Sequence, residues 1–571
     1  MLLETSFLPS KIGHKSNWGQ THGAASALAI SEAALTHQGP VLALVKDTDA
    51  ALKLSAEISF FLTNTGLDCL MLPDWEILPY DSFSAHPDII SERISTLNQI
   101  THLSKGVVIV PVATLLHRLP PMNYLAGNSF TLATGQELPQ TQFRQRLDQA
   151  GYLLTETVSQ AGEYALRGGL IDLYPMGSHA PLRIELFDDE IESLRYFDAD
   201  SQRTTALITE FNLLPAREFP LTDTAISHFR QSFTSQFDLD PKACPVYQDV
   251  SQGFAPAGIE YYIPLFFNTM STLLDYLPSS TLVVKQGDIE AQARHFWRDI
   301  ESRYEDYGHD IERPLLAPKQ LFLFTDEMFS GLKNFPIVDL QEGALVEPEA
   351  DKGLYNLGGA QSPQVAINNQ LAKPLLALET LLQNQQQTIL ICAESAGRKE
   401  ALLDLFKVLP KPPHDVENWP DFIDKKPHFA ICVAPLEQGL NLPQHNLLVV
   451  CEAQLFGQKV LQRRRRDKAT ENPNTAIHDL AELSIGNAVV HQDHGVGRYN
   501  GLQTLSIDGQ DAEFLVLLYA NEATLYVPVS GIELLSRYSG GENAPLHKLG
   551  GEQWTKAKRK AAEKIKDTAA E

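Results

Sequence analysis

The chain has 571 residues, 43% of them hydrophobic, and carries 46 Lys and Arg against 71 Asp and Glu for a formal net charge of −25. That length exceeds a single hydrophobic core and implies roughly three to five domains, while the acidic balance opposes a chain-wide grip on a phosphate backbone and places any main nucleic-acid contact elsewhere. No apolar run reaches the length of a membrane span, the start Met1-Leu2-Leu3-Glu4-Thr5-Ser6 lacks a secretory leader's basic end and apolar core, and Cys69, Cys244, Cys392, Cys432 and Cys451 show no paired spacing, so a reduced, cytoplasmic protein without disulfides or zinc is expected.

The first informative run is Trp18-Gly19-Gln20-Thr21-His22-Gly23-Ala24-Ala25-Ser26, which opens a helix-forming stretch, Ala27 to Leu35, ahead of the apolar run Val41 to Val45. A phosphate-binding loop would carry Gly-Lys-Ser/Thr here, with Lys neutralising the β/γ-phosphates and the hydroxyl holding Mg²⁺. Gly19, Gly23, Ala24 and Ala25 keep the glycines and lose both functional groups. From this segment alone, an Ala/Gly-rich helix start with no loop ancestry reads the same way.

Near-continuous apolar strands at Val41–Val45 and 106–111 alternate with helical patterns at 49–61 and 90–103, which predicts a parallel sheet covered on both faces. Between Tyr164 and Phe197 short alternating strands and tight turns predict an antiparallel insertion. Beyond Phe219 helices return and Ser280 to Lys285 reads as another buried strand, so the first domain is expected to be discontinuous. A polar stretch at 353–370 reads as a linker into a second, smaller α/β unit with strands at 388–392, 429–433 and 446–450. Lys459, Arg463 to Arg466 and Lys468 form a basic cluster that suits either a solvated linker or nucleic acid. From Ile485 to Ser539 short strands predict a small β-barrel, and Trp554 to Glu571 a helix without a stop signal.

The segment from Gly162 to Pro175, with Arg183 to Arg195 after it, closely resembles domain 2 of the repair protein UvrB and its counterpart in the bacterial transcription-repair coupling factors. The run Val489-Val490-His491-Gln492-Asp493-His494-Gly495-Val496-Gly497-Arg498-Tyr499 resembles the start of a CarD-like, polymerase-interacting domain. In this order the two resemble the N-terminal half of the coupling-factor family, Mfd. The resemblance implies a degenerate RecA-like UvrB-homology module with an inserted antiparallel α+β domain, a second small α/β domain, and a Tudor/SH3-like barrel followed by a helix. The corresponding divisions are 1–128 and 217–350 for the α/β domain, 129–216 for the insertion, 351–372 and 461–483 for linkers, 373–460, 484–545, and a connector at 546–571.

It further implies that the family's motor, with ATP, Mg²⁺ and most of the DNA contact, lies beyond the CarD-like domain, so that this chain is a truncated, non-catalytic piece without a cofactor of its own. The strand matching Walker B, Val283 to Asp288, lacks the adjacent acidic pair, and Tyr80 to Pro87 stands where UvrB carries a long aromatic hairpin.

Along Leu182 to Phe187 the period of two sets Leu182, Ile184 and Leu186 on one face and Arg183, Glu185 and Phe187 on the other. In the family that second face docks UvrA, with Arg167, Arg183 and Phe187 at matching contact positions. Neither Arg183 nor Phe187 is assigned to the core, so Arg183→Glu and Phe187→Ala are expected to leave the fold intact. Leu502, Thr504 and Leu505 match the strand that meets the β subunit of RNA polymerase by sheet-edge contact, and Leu505, opposite in parity to Leu502, is expected on the partner side. His491 and His494 have a metal-like spacing but no further ligands, and read as turn histidines. The expected function is recruitment in transcription-coupled repair. A UvrB-like ATPase, and a CarD-type regulator fused to an unrelated α/β partner, are the alternatives.

Overall fold

The computed structural model describes residues 7–9, 11–367, 373–384, 387–456, 486, 488–491, 494–507, 510–528, 535–537 and 546. The basic cluster from Lys459 to Lys468, the Asp508-Gly509 turn and the stretch from Trp554 to Glu571 lie outside them. Two compact units divide the chain, residues 1–459 and 460–571.

In the first unit a seven-stranded, wholly parallel sheet runs in the order Leu354–Asn356, Lys15–Gly19, Ile337–Leu340, Leu282–Gln286, Val41–Val45, Gly106–Pro111, Asp68–Met71. Strands from before residue 112 and from after residue 281, on either side of the inserted stretch, thus share one sheet. Val41–Val45 and Gly106–Pro111 are buried throughout because both faces are covered, which is why they read as unbroken apolar runs. Val41, Ala43, Val45, Val107 and Ile109 contribute to one core, while Leu42, Leu44, Val108 and Val110 contribute to another.

Each core continues into a different module. On the Leu42 side it takes in Tyr164, Ile171, Leu182, Ile184 and Leu194 of a six-stranded sheet ordered Thr204–Ile208, Glu190–Phe197, Leu182–Phe187, Leu170–Leu173, Glu163–Arg167, Leu153–Leu154. That sheet is antiparallel apart from its last pair. Phe130–Ala133 and Glu210–Leu213 pair antiparallel and bring the entry and exit of the inserted stretch together. Just past the exit, buried Glu218 accepts from Arg93 Nε (2.8 Å) and Trp75 Nε1 (3.0 Å). This ties the returning chain to the Pro87–His102 helix.

On the Val41 side the core passes through the Ala25–Thr36 and Thr48–Phe61 helices into a second sheet, ordered His414–Asp415, Phe429–Val433, Thr388–Ala393, Leu447–Cys451, Leu440–Leu442. It is parallel except for the Leu440–Leu442 edge. Ala25–Thr36 is buried along 25–34 without a preferred face, because its alanines lie between two layers.

The second unit is a five-stranded antiparallel sheet ordered Thr524–Pro528, Gln510–Leu518, Gly495–Ile507, Ala488–His491, Leu535–Arg537. Val489, Tyr499, Leu515, Leu517, Tyr519 and Val527 form its core.

Candidate functional site

The Gly19–Ala25 loop leaves the first strand with Gln20 and Gly23 at positive φ, 57° and 59°. Four of its N–H groups donate within the chain. Gln20 N–H reaches Gly343 O (2.9 Å), Thr21 N–H reaches Gln341 O (3.4 Å), Ala25 N–H reaches His22 O (3.2 Å), and Ala24 N–H donates to Gly439 O of the second sheet's module (3.2 Å). A Cβ on Gly23 would stand 2.2 Å from that same oxygen. Ala24 and Ala25 are buried in the shared core and bring neither cation nor hydroxyl.

The neighbouring strand end is also closed. Lys285 pairs with Asp339 at 2.7 Å, Asp339 takes Lys15 as well, and Gln286 Nε2 donates to Ser26 Oγ (3.1 Å). The Gln20, Thr21, Ala24 and Ala25 N–H groups are thus taken by protein carbonyls and not held open for an anion.

The inserted sheet presents the opposite case. Along Leu182–Phe187 the alternation holds: Leu182 and Ile184 are in the core, Arg183 and Glu185 are half-buried, and Phe187 is 71% exposed. Phe187 ends its strand at the Asp188 turn, where φ is 54°. Cross-strand pairing sets Arg167, Leu170, Glu185 and Ser193 in one row over four strands. Within it Ser193 Oγ donates to Glu185 Oε2 (2.6 Å), and Arg195, two residues further along the strand, donates through Nε to Ser193 Oγ (3.3 Å). Exposed Arg167 donates through Nη2 to Glu156 O (2.7 Å) and Thr157 Oγ1 (3.1 Å). The row and the exposed Leu170 beside Arg167 were missed at the level of sequence; the Gly168-Gly169 turn that puts Leu170 opposite Arg167 was their only signal.

Arg183 requires a correction. Its side chain is only 15% exposed and grips Asp172, itself 3% exposed, through Nε (2.7 Å) and Nη2 (2.8 Å), with Nη1 donating to Gln202 O (3.2 Å). Its guanidinium lies over the Phe197 ring at 4.8 Å, above a small core of Val158, Ala165 and Phe197. The Asp172 bond raises the Arg183 pKa above its ordinary value against the opposing effect of burial. A charge reversal there strands Asp172 beside a second carboxylate, so the expectation that Arg183→Glu leaves the fold intact does not stand. Phe187, by contrast, is outside the core.

In the second unit Leu502 is 46% exposed although it pairs with fully buried Leu515. Backbone pairing joins Thr504 to Glu513 and Leu505 to Ala512, while the side chains of Thr504 and Leu505 lie outside the described residues. His491 is buried and its ring packs on His494 at 4.7 Å. Among the described residues no group of three or more His, Cys, Asp and Glu is placed to hold a metal, and no helix is long and apolar enough to cross a membrane.

Three family models match along the chain: the UvrB interaction domain at residues 130–219, the MFD D3 domain at 381–455 and the CarD-like/TRCF RID domain at 483–539. They define a class of multidomain α/β protein that joins a UvrB interaction domain to a CarD-like module. The chain is 46% identical to the transcription-repair-coupling factor of Escherichia coli strain K12 over 567 residues, covering 99% of this chain and 49% of that relative. Identity is 43% to the Haemophilus influenzae factor (96% and 47% covered) and 26% to that of Bacillus subtilis (96% and 47% covered). The chain belongs to the transcription-repair-coupling factor family and corresponds to its N-terminal half. It spans about half the length of the curated relatives it matches.

Proposed function

We propose that this chain is the recruitment half of a transcription-coupled nucleotide excision repair factor, with UvrA docking on the inserted sheet and the RNA polymerase β subunit on the Gly495–Ile507 strand. One observation carries the reading: the UvrB interaction domain match falls on a sheet with Phe187, Leu170 and Arg167 all exposed on one face, in the same chain as the CarD-like match. An exposed aromatic with arginine nearby is the composition of an interface anchor. Arg183 acts in this reading as a positioning residue that stiffens the face through its bonds to Asp172, and Leu502 stands as an exposed apolar contact for the polymerase.

The parallel-sheet domain is read as a degenerate RecA-like module and the C-terminal sheet as a Tudor/SH3-like fold. The chain itself performs no nucleotide chemistry in this account, because both functional positions are alanine and the Ala24 N–H is already bonded to Gly439 O. ATP, Mg²⁺ and the main DNA grip belong to the remainder of the family's length. A pull-down with purified UvrA and purified polymerase tests the proposal: retention of both supports it, and retention of polymerase alone returns the CarD-type alternative. DNA-stimulated ATP turnover by the chain returns the ATPase alternative.

A further inference from the structure

The MFD D3 match carries no activity in its description, yet its sheet makes the contact that closes the Gly19–Ala25 loop. Gly439 is held for that contact. Its N–H donates to Gln454 Oε1 (3.1 Å), the same oxygen that accepts from Cys451 N–H (2.9 Å). A Cβ on Gly439 would fall 2.0 Å from Val449 O, so a larger residue cannot present the carbonyl in this way. Around the contact Leu436, Leu440 and Leu442 share a core with Ala24, Ala25 and Leu28. Trp419 meets Phe61 edge-on at 4.9 Å and Phe60 at 6.0 Å. At the rim Lys53 Nζ stands 3.9 Å from Glu437.

Three thiols report on this contact. Cys392 pairs in register with both Cys432 and Cys451 across three parallel strands, with 3.9 Å between the sulfurs of Cys392 and Cys432. All three are buried on the side that shares the core with the Ala25–Thr36 helix.

We propose that the small α/β domain is a resident ligand of the vestigial phosphate loop: the Gly439 carbonyl holds the Ala24 N–H that a phosphate oxygen would otherwise take, and the apolar face around it locks the loop shut irrespective of nucleotide. The inference rests on the reading of Gly19–Ala25 as a degenerate phosphate loop, and it assigns the domain a task on this chain rather than on an outside partner. A loop whose Ala24 N–H is held by a resident acceptor cannot offer that donor to a nucleotide, and freeing it requires the whole apolar contact to separate.

The test uses the full chain. Gly23→Ala drives a methyl into Gly439 O, whereas Gly66→Ala imposes a comparable backbone penalty, at φ 75°, with nothing within 4 Å of the added carbon. Under native conditions an aromatic disulfide reagent should modify Cys392, Cys432 and Cys451 about tenfold or more faster in Gly23→Ala than in the unchanged chain. Gly66→Ala should match the unchanged chain, and Cys244, buried in a separate core, should be unaffected in either variant. Equal rates in Gly23→Ala and Gly66→Ala overturn the proposal.

If Gly23→Ala exposes Cys244 as well, hydrogen exchange on the unchanged chain decides. The Ala25–Thr36 helix and the Thr388–Ala393 and Leu447–Cys451 strands should share one opening free energy, and strands that open well before the helix refute the lock. Protection of residues 23–28 by Mg-ATP would overturn the phosphate-loop reading beneath it, an outcome distinct from the labelling result.

Discussion

The Gly19–Ala25 loop and the Leu182–Phe187 strand both break the plain pattern of a buried core, one with a glycine-rich turn and the other with an aromatic on a polar face. In the loop, Gln20, Thr21, Ala24 and Ala25 each donate to a protein carbonyl. On the strand, Phe187 remains 71% exposed two residues beyond Glu185, whose carboxylate accepts from Ser193. The difference lies in what is left over after folding. A recognition feature can act on a partner only with groups the fold has not already consumed, and Arg183 shows both conditions within one strand: its position matches a contact residue, yet its nitrogens are committed to Asp172 and Gln202.

The largest effect that would break this comparison is expected at Arg183. Arg183→Glu removes one partner of a buried, doubly bonded pair and should cost about 3–5 kcal/mol, read as a lowered denaturant midpoint. UvrA binding would be lost with it, through the fold. A denaturation curve matching that of the unchanged chain would return Arg183 to the open surface.

Next is Leu502→Arg, which places a charge in an exposed apolar position of the second unit. Polymerase binding should weaken by about thirtyfold, the scale of an interface anchor, with the melting curve retained. Unchanged affinity would move the contact away from that strand.

Glu260 sharpens what burying an ionisable group costs even when it is hydrogen-bonded. Burial pushes its carboxyl up to about 6, against the Ser84 hydroxyl that donates to it at 2.9 Å. Because the folded value exceeds the ordinary 4.5, the unfolded chain ionises first, and stability from this group falls as pH rises from about 4.5 through 6. Glu260→Gln should therefore gain up to about 2 kcal/mol at pH 7.5 and almost nothing at pH 4. A gain of the same size at both pH values would show that ionisation is not the cause.

The smallest expected effect is none. Mg-ATP in excess should leave the melting temperature of this chain unchanged, whereas a working site stabilises by about 2.7 kcal/mol at a hundredfold excess over Kd. A clear shift would reopen the loop.

Local pattern made much of this legible. The unbroken apolar runs at Val41–Val45 and Gly106–Pro111 announced strands covered on both sides, and the period of two along Leu182–Phe187 separated Leu182 and Ile184 from Phe187. What stayed hidden depended on register between distant segments. Asp172 lies opposite Arg183 only because two strands pair in one register, and Gly439 meets Ala24 only because a separate sheet packs on the helix behind the loop. Arg183 therefore read as an exposed contact, and the loop read as merely lacking its lysine. Neither partner carries a mark in the sequence near the residue it consumes.

The most direct measurement of the central claim is the affinity of purified UvrA for Phe187→Ala beside the unchanged chain, by calorimetry, with the melting curve of each. The account predicts a loss of at least about 2 kcal/mol of binding, roughly thirtyfold, with a stability change within about 0.5 kcal/mol. Equal affinity for UvrA with the fold intact would contradict it.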